Sequence, residues 1–150
     1  HRVFAVRGDE IVGVVSTHDV LHAIVGARVP ASVDRFMSTP VLTVPYNASL
    51  AHATDRLSHE NVSGLIVVDA EGHPIGHFSQ REALLARRLH ATEPVEDAMD
   101  PTVAKIAGGS PLHHAAELAR ATKARRVLVM DRERPAGVLS PLDFMRAVSG

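Results

Sequence analysis

Two short apolar runs lie 62 positions apart, Leu65-Ile66-Val67-Val68-Asp69 and Val127-Leu128-Val129-Met130-Asp131. Each run is continuous and apolar, and each ends at an aspartate that leads into a polar turn, which predicts a buried strand followed by a turn. A glycine follows each run, at Gly76 and at Gly137, after a turn that is one residue shorter in the second copy. The matched spacing indicates an internal repeat, and the rest of the chain can be aligned outward from these two runs.

The repeat extends in both directions. Residues 33–89 and 95–148 follow one template, which opens with Val33-Asp34-Arg35-Phe36-Met37 in the first copy and Val95-Glu96-Asp97-Ala98-Met99 in the second. Residues 1–29 match only the back half of the template, through Val3-Phe4-Ala5-Val6 and Gly13-Val14-Val15-Ser16. We therefore expect two complete units and the C-terminal half of a third, truncated or swapped, cut from a longer parent chain.

Periodicity predicts the elements of one unit. Ser49 is a plausible N-cap, and Leu50, Ala53 and Leu57 recur at helical spacing as far as about Glu60. The run 65–69 and the segment 74–79 read as two strands, and a second helix is predicted from Arg81 to about Leu89. We expect Ala83, Leu84 and Leu85 to point inward on that helix, with Arg87 and Arg88 in solvent. Each unit is thus strand–helix–strand–strand–helix, and a unit of this size should need a partner to bury its sheet.

Composition excludes several classes of protein. Aromatic residues make up 3% of the chain, so stacking platforms for single-stranded nucleic acid are disfavoured. The net charge of −1 provides no basic field for DNA or for a membrane surface, and we expect no nucleic-acid partner. No apolar run is long enough for a membrane helix. The absence of cysteine excludes disulfides and thiol nucleophiles and fits a cytoplasmic protein.

The motifs of the repeat resemble those of the CBS domain, named after cystathionine β-synthase. In the first complete unit they run from Met37 and Pro40 through Ser49-Leu50 and the acid-terminated apolar strand to Gly76 and the sequence Ser79-x-x-Glu82. The resemblance implies an α+β fold of tandem β-α-β-β-α repeats, with small sheets packed as a pseudo-two-fold pair called a Bateman module. It also implies a regulatory module rather than a catalyst, with a homodimer as the expected assembly. The truncated third repeat suggests a longer parent chain, on which an output domain is a further expected partner.

The same resemblance implies an adenosine-containing regulatory ligand, such as AMP, ADP, ATP, S-adenosylmethionine or NAD, and no required cofactor. Its ribose contact is carried by the Ser-x-x-acid pairs at the second helix of each repeat. This is chemically reasonable, because a carboxylate can accept two ribose hydroxyls and a helix start offers donors to phosphate. The adenine would lie between the entry to the first strand and the start of the second. The expected ligand-binding residues are Ser16, Asp19, Thr39, Val41, Leu65, Ile66, Ser79, Arg81, Glu82, Val103, Val127, Ser140 and Asp143.

Three positions depart from the family pattern. Glu82 stands where aspartate is usual and is one methylene longer. Arg81 offers a phosphate partner that the other two copies lack. Pro141 removes one N–H donor from the last helix start, so we expect the clefts to differ in what they bind.

Several alternatives stay open at this point. Each Ser-x-x-acid pair also fits a capping box, a purely structural motif, and a structural assembly module with empty clefts is the competing function. His18 and His22 lie at helical spacing, but no accompanying metal signature supports them, and surface histidines are the simpler interpretation. The basic stretch 120–126 reads as a solvated helix end, with anion contact as the alternative. No spacing typical of a catalytic nucleophile is present.

Overall fold

The computed structural model describes residues 2–149, whose elements alternate as the repeat predicts. The strands are β1 (Arg2–Arg7), β2 (Glu10–Ser16), β3 (Thr43–Pro45), β4 (Gly64–Val68), β5 (Pro74–Ser79), β6 (Ala104–Ala107), β7 (Val127–Asp131) and β8 (Arg134–Leu139). The α-helices are α1 (Thr17–Gly26), α2 (Leu50–His59), α3 (Gln80–Leu85), α4 (Leu112–Thr122) and α5 (Pro141–Ser149). Short 3-10 helices cover Val33–Arg35, Ala86–Arg88 and Val95–Asp97. Among these residues no helix combines the length and the apolar character that crossing a bilayer requires.

The chain forms two compact units. One unit, called here the outer unit, takes the described residues up to Pro40 together with those from Ala104 onward. The other, called the inner unit, is Val41–Val103. Each has its own hydrophobic core and its own three-stranded sheet.

The inner unit is built on the sheet β3-β4-β5. β3 runs parallel to β4, with Thr43 opposite Ile66, and β4 runs antiparallel to β5, with Ile66 opposite His77. Leu65 and Val67 are 0% exposed, as the continuous apolar run predicts. Helix α2 begins at its N-cap Ser49, whose side chain accepts a hydrogen bond from the His52 N–H.

The outer unit repeats this sheet and adds the half-repeat. β6 runs parallel to β7, and β7 runs antiparallel to β8. β1 and β2 form a separate antiparallel hairpin, and α1 packs against both α4 and α5. Ile24 on α1 and Ala115 and Ala116 on α4 are all fully buried in one cluster, because alanines on α4 let the two helices approach closely.

The opening segment of each repeat belongs to the unit that holds the other repeat's sheet. The Val33 N–H donates to the Ser110 carbonyl at 2.9 Å, and Ser38 bridges to Val138 on β8. In the inner unit the Val95 N–H donates to the Ala48 carbonyl at 2.7 Å, and Asp100 bridges to His77 on β5. The compact units therefore exchange their opening segments relative to the sequence repeats.

The predicted α+β fold and the order strand–helix–strand–strand–helix are confirmed in both complete repeats. The predicted orientation of Leu84 and Leu85 is wrong, since they are 56% and 67% exposed. Helix α3 is only six residues long, and it turns Glu82, Ala83 and Ala86 toward the core instead. The two leucines lie between these positions and face outward.

Candidate functional site

All three Ser-x-x-acid pairs adopt the same geometry at the start of a helix. In each pair one carboxylate oxygen accepts both the backbone N–H and the hydroxyl of the serine. The two contacts to Asp19 from Ser16 measure 2.8 and 2.6 Å, and those to Asp143 from Ser140 measure 2.7 and 2.6 Å. At Ser79 the backbone N–H contact to Glu82 measures 2.9 Å, and the hydroxyl contact is also present. The reciprocal capping box that the sequence left open is present at Ser16 and at Ser79, and at Ser140 the carboxylate likewise accepts the serine N–H.

The three carboxylates differ in exposure. Asp143 is 2% exposed, and its other oxygen accepts the Ser38 hydroxyl at 3.0 Å. Glu82 is also buried, whereas Asp19 is exposed. Hydrogen bonds from the Ser16 side chain and backbone hold the pKa of Asp19 below its usual value, so this carboxylate is ionised at neutral pH. Asp19 is the carboxylate that a ligand can reach from solvent.

A groove of about 400 Å³ lies in the outer unit where two of these helix starts meet. One wall is the start of α1, with Ser16, Thr17 and His18, and another is the start of α5, with Pro141. The end of α4 supplies three basic side chains, Arg120, Lys123 and Arg125. Helix N-termini and cations both favour an anion, so the groove is suited to a negatively charged ligand group.

Sequence reasoning did not place these basic residues in the site. The stretch 120–126 reads as a solvated helix end, and its side chains are indeed largely exposed. Only the packing of α1 against α4 and α5 turns that helix end into the wall of a groove. A basic run at the end of the helix that directly precedes the last Ser-x-x-acid motif is the signal that could have suggested it.

The expected adenine contacts fall in both units. Val41, Leu65 and Ile66 lie close together in the inner unit, where the Ile66 N–H donates to the Leu42 carbonyl at 2.9 Å. Val127 and Thr39 belong to the outer unit and Val103 to the inner one. Leu65 and Val127 are 0% exposed. Their side chains therefore pack within the cores of their own units, and only their backbone atoms could contact a ligand.

The inner unit holds a group of ionisable side chains that the repeat analysis missed. His77, Glu82 and Asp100 each place a ligand-type atom within 4.8 Å of the others. Arg81 lies beside them, with its guanidinium 3.9 Å from the Glu82 carboxylate. No single stretch of sequence contains this group, because the exchanged opening segment brings Asp100 to β5.

The family model for the CBS domain matches residues 33–88 and 95–150. A 120-residue segment covering 80% of the chain is 24% identical to the A-adding tRNA nucleotidyltransferase of Aquifex aeolicus, of which it spans 15%. The uncharacterised protein MJ1404 of Methanocaldococcus jannaschii is 26% identical over 77 residues, which is 18% of its length. The chain thus spans less than a fifth of either curated relative.

Solved structures show the same fold. The domain pair of protein MJ0100, in complex with 5-methylthioadenosine and S-adenosyl-L-methionine, superposes with a TM-score of 0.71 at 24% identity, covering 81% of this chain and 98% of that one. Protein PAE2072 from Pyrobaculum aerophilum, complexed with AMP, gives 0.67 at 20% identity, with 80% and 100% coverage. CBSX2 in complex with AMP gives 0.63 at 26% identity, with 79% and 96% coverage.

Proposed function

Because the chain belongs to the CBS-domain family, we propose that it is a non-catalytic regulatory module that binds an adenosine-containing ligand. CBS-domain pairs are generally regulatory modules without catalysis of their own. Solved relatives of the same fold hold AMP, or 5-methylthioadenosine and S-adenosyl-L-methionine. The proposed ligands are accordingly AMP, ADP, ATP, S-adenosylmethionine and NAD, and ligand occupancy would act by favouring one arrangement of the protein over another.

The groove at the starts of α1 and α5 is the observation that carries this proposal. Lys123 and Arg125 in its wall can pair with phosphate, while the exposed Asp19, which follows the lining residue His18 on α1, can accept ribose hydroxyls. A cation-lined wall favours ligands that carry phosphate over S-adenosylmethionine, whose sulfonium is positive. We therefore rank AMP, ADP, ATP and NAD ahead of S-adenosylmethionine for this groove.

The remaining expected contacts stay part of the proposal. In the outer unit these are Ser16, Thr39, Val127, Ser140 and the buried Asp143. In the inner unit they are Val41, Leu65, Ile66, Ser79, Arg81, Glu82 and Val103. Asp143 shares its carboxylate with Ser38 and Ser140, so a ribose there would have to replace one of these hydrogen bonds.

A charge reversal in the groove tests the proposal. Calorimetric titration of the unaltered chain should give saturable binding of at least one phosphate-bearing ligand, and Lys123→Glu should weaken that binding by about tenfold or more, since it replaces an attractive charge by a repulsive one. The matched control is Lys105→Glu, an exposed lysine on β6 of the same unit that lies outside the groove. If the two charge reversals weakened ligand binding equally, the effect would come from the net charge alone, and the groove would not be the binding site.

An assembly module is the second candidate, and one observation favours it. The hairpin β1–β2 exposes large apolar side chains, among them Phe4 at 60% and Val6 and Ile11 at 63% and 62%. Exposed apolar residues on so small a sheet are typical of an interaction surface. A homodimer seen by small-angle scattering, with no calorimetric response to any of the five ligands, would favour this function over ligand sensing.

The proposal extends to the parent chain and to the cellular location of the protein. The match to 15% of a tRNA nucleotidyltransferase is consistent with a regulatory segment of a larger protein, so an output domain on a parent chain belongs to the proposal. A cytoplasmic location belongs to it as well, since the lack of cysteine and the adenosine ligands both fit that compartment.

A further inference from the structure

The group formed by His77, Glu82 and Asp100 is absent from the sister repeat. Strand pairing and bridge positions make Val138 the counterpart of His77 and Ser38 the counterpart of Asp100. In the outer unit the Ser38 hydroxyl donates to Asp143, which gives a satisfied pair with one carboxylate. The inner unit replaces this pair by two carboxylates and an imidazole, so the fold itself does not require the ionisable group.

In both Glu82 and Asp100, one carboxylate oxygen is fixed by hydrogen bonds from residues close to it in the sequence. Oε2 of Glu82 accepts both the N–H and the hydroxyl of Ser79 at the start of α3. Oδ1 of Asp100 accepts the Thr102 N–H at 2.8 Å. These bonds set the direction of the second oxygen of each group, and Oδ2 of Asp100 lies 3.7 Å from Nε2 of His77.

The backbone also holds the imidazole and Asp100 together. His77 and Asp100 exchange two backbone hydrogen bonds of 2.9 Å, which fix the exchanged segment to β5. The side chain of His77 is 3% exposed and that of Asp100 is 23% exposed. The imidazole is therefore buried, and the cluster reaches solvent through Asp100.

Two carboxylates in contact favour a positive charge beside them. The guanidinium of Arg81, 3.9 Å from the Glu82 carboxylate, supplies such a charge from the solvent side. Carboxylate oxygens and an imidazole nitrogen that face one another are also the atoms that bind a metal ion.

From this geometry we propose that His77, Glu82 and Asp100 bind a first-row divalent transition-metal ion. One nitrogen and two carboxylate oxygens are a donor set that such ions accept, with metal–ligand distances of about 2.0–2.2 Å. The donor atoms now lie within 4.8 Å of one another and would close by roughly 1–2 Å around an ion. Arg81, whose side chain is 53% exposed, competes for the same carboxylates and would swing into solvent on metal binding.

The test uses Co²⁺ and Zn²⁺ with the full chain. We expect calorimetry to show one saturable site, and bound Co²⁺ to give visible absorption bands of a protein-ligated ion. His77→Val and Asp100→Ser install the side chains of the sister repeat, which that fold already accommodates, and each should weaken binding more than about tenfold. Arg81→Ala should strengthen it, because a competing cation is removed, and a purely structural cluster would not show this.

A matched control lies in the same unit. Asp69, Glu71 and His73 form a second group with metal-ligand spacing, but they lie on the exposed β4–β5 turn. His73→Ala should leave binding unchanged. Absence of saturable binding at micromolar metal, binding that survives both His77→Val and Asp100→Ser, or binding lost in His73→Ala would each overturn the proposal. Circular dichroism of each variant establishes that it is folded, and the Arg81→Ala increase is independent of any loss of folding.

Discussion

The acid of each Ser-x-x-acid pair already accepts hydrogen bonds from its serine, and a ligand would have to compete with these contacts. Asp143 holds the start of α5 and also accepts the Ser38 hydroxyl, so removing it would leave partly buried donors unsatisfied. A loss of ligand binding in an Asp143 variant would therefore not distinguish unfolding of the protein from the loss of a contact to the ligand. Asp19 is exposed and makes its capping bonds at the surface, which leaves it the more informative position for ligand experiments.

Gly76 is required by the close approach of the exchanged segment. A Cβ at this position would lie 2.6 Å from Sδ of Met99 and 2.7 Å from the Asp100 carbonyl oxygen. We expect Gly76→Ala to lower the free energy of unfolding by roughly 1–3 kcal/mol, because the backbone contact cannot move aside cheaply. Urea denaturation measures this change.

The control for Gly76 is Gly13→Ala. A Cβ at Gly13 would meet only the Cβ of Ala5, at an ordinary distance of 3.9 Å. Its effect should stay within a few tenths of a kcal/mol of zero, since no atom has to move. A Gly76→Ala variant as stable as this control would contradict the close packing of Met99 and Asp100 on β5.

Among the elements, the exchange of opening segments is what sequence reasoning could not provide. The strands and helix starts follow from local patterns, such as the apolar run of β4 and the N-cap Ser49, and the structure has them where the patterns predict. The 62-residue repeat, however, is equally compatible with each opening segment packing on its own sheet or on the other. Only the tertiary contacts of Val33 and Val95 distinguish these alternatives.

Dependence on tertiary contacts also explains the other features that the sequence did not predict. The apolar character of Leu84 and Leu85 predicts that they are buried, but a six-residue helix buries one narrow face, and Glu82 occupies it. The contact between His77 and Asp100 joins residues 23 positions apart and depends on the exchanged segment. The basic groove likewise depends on how α1 packs against α4 and α5.

The exchange predicts a crossed pattern of destabilisation. Val33 and Val95 are both 0% exposed, and each is part of the core around the other repeat's sheet. Truncating either to alanine should cost roughly 1–3 kcal/mol, through lost burial and an unfilled cavity. Val33→Ala should speed amide hydrogen exchange in β6–β8, and Val95→Ala should speed it in β3–β5.

Hydrogen exchange followed by NMR or mass spectrometry reads out these regions separately. Each variant serves as the control for the other, because the substitutions are chemically identical. If each truncation instead loosened the sheet of its own repeat, the exchanged arrangement would be contradicted.

Taken as one molecule, the chain combines a family fold with two chemically different places for a charged ligand. The outer unit offers a cation-lined groove between helix starts, and the inner unit offers two carboxylates and an imidazole. The inner cluster depends on His77 and Asp100, where the sister repeat has Val138 and Ser38. The outer groove depends instead on the half-repeat, because α1 supplies one of its walls.

The most direct test of ligand sensing is a map of backbone amide shifts during titration with AMP. The proposal predicts saturable shifts centred on residues 16–19, 123–125 and 140–143, the segments that surround the groove, and much smaller shifts with inorganic phosphate at equal concentration. Absence of saturable shifts with AMP, ADP, ATP, NAD and S-adenosylmethionine alike, or saturable shifts that leave these three segments unaffected, would contradict it.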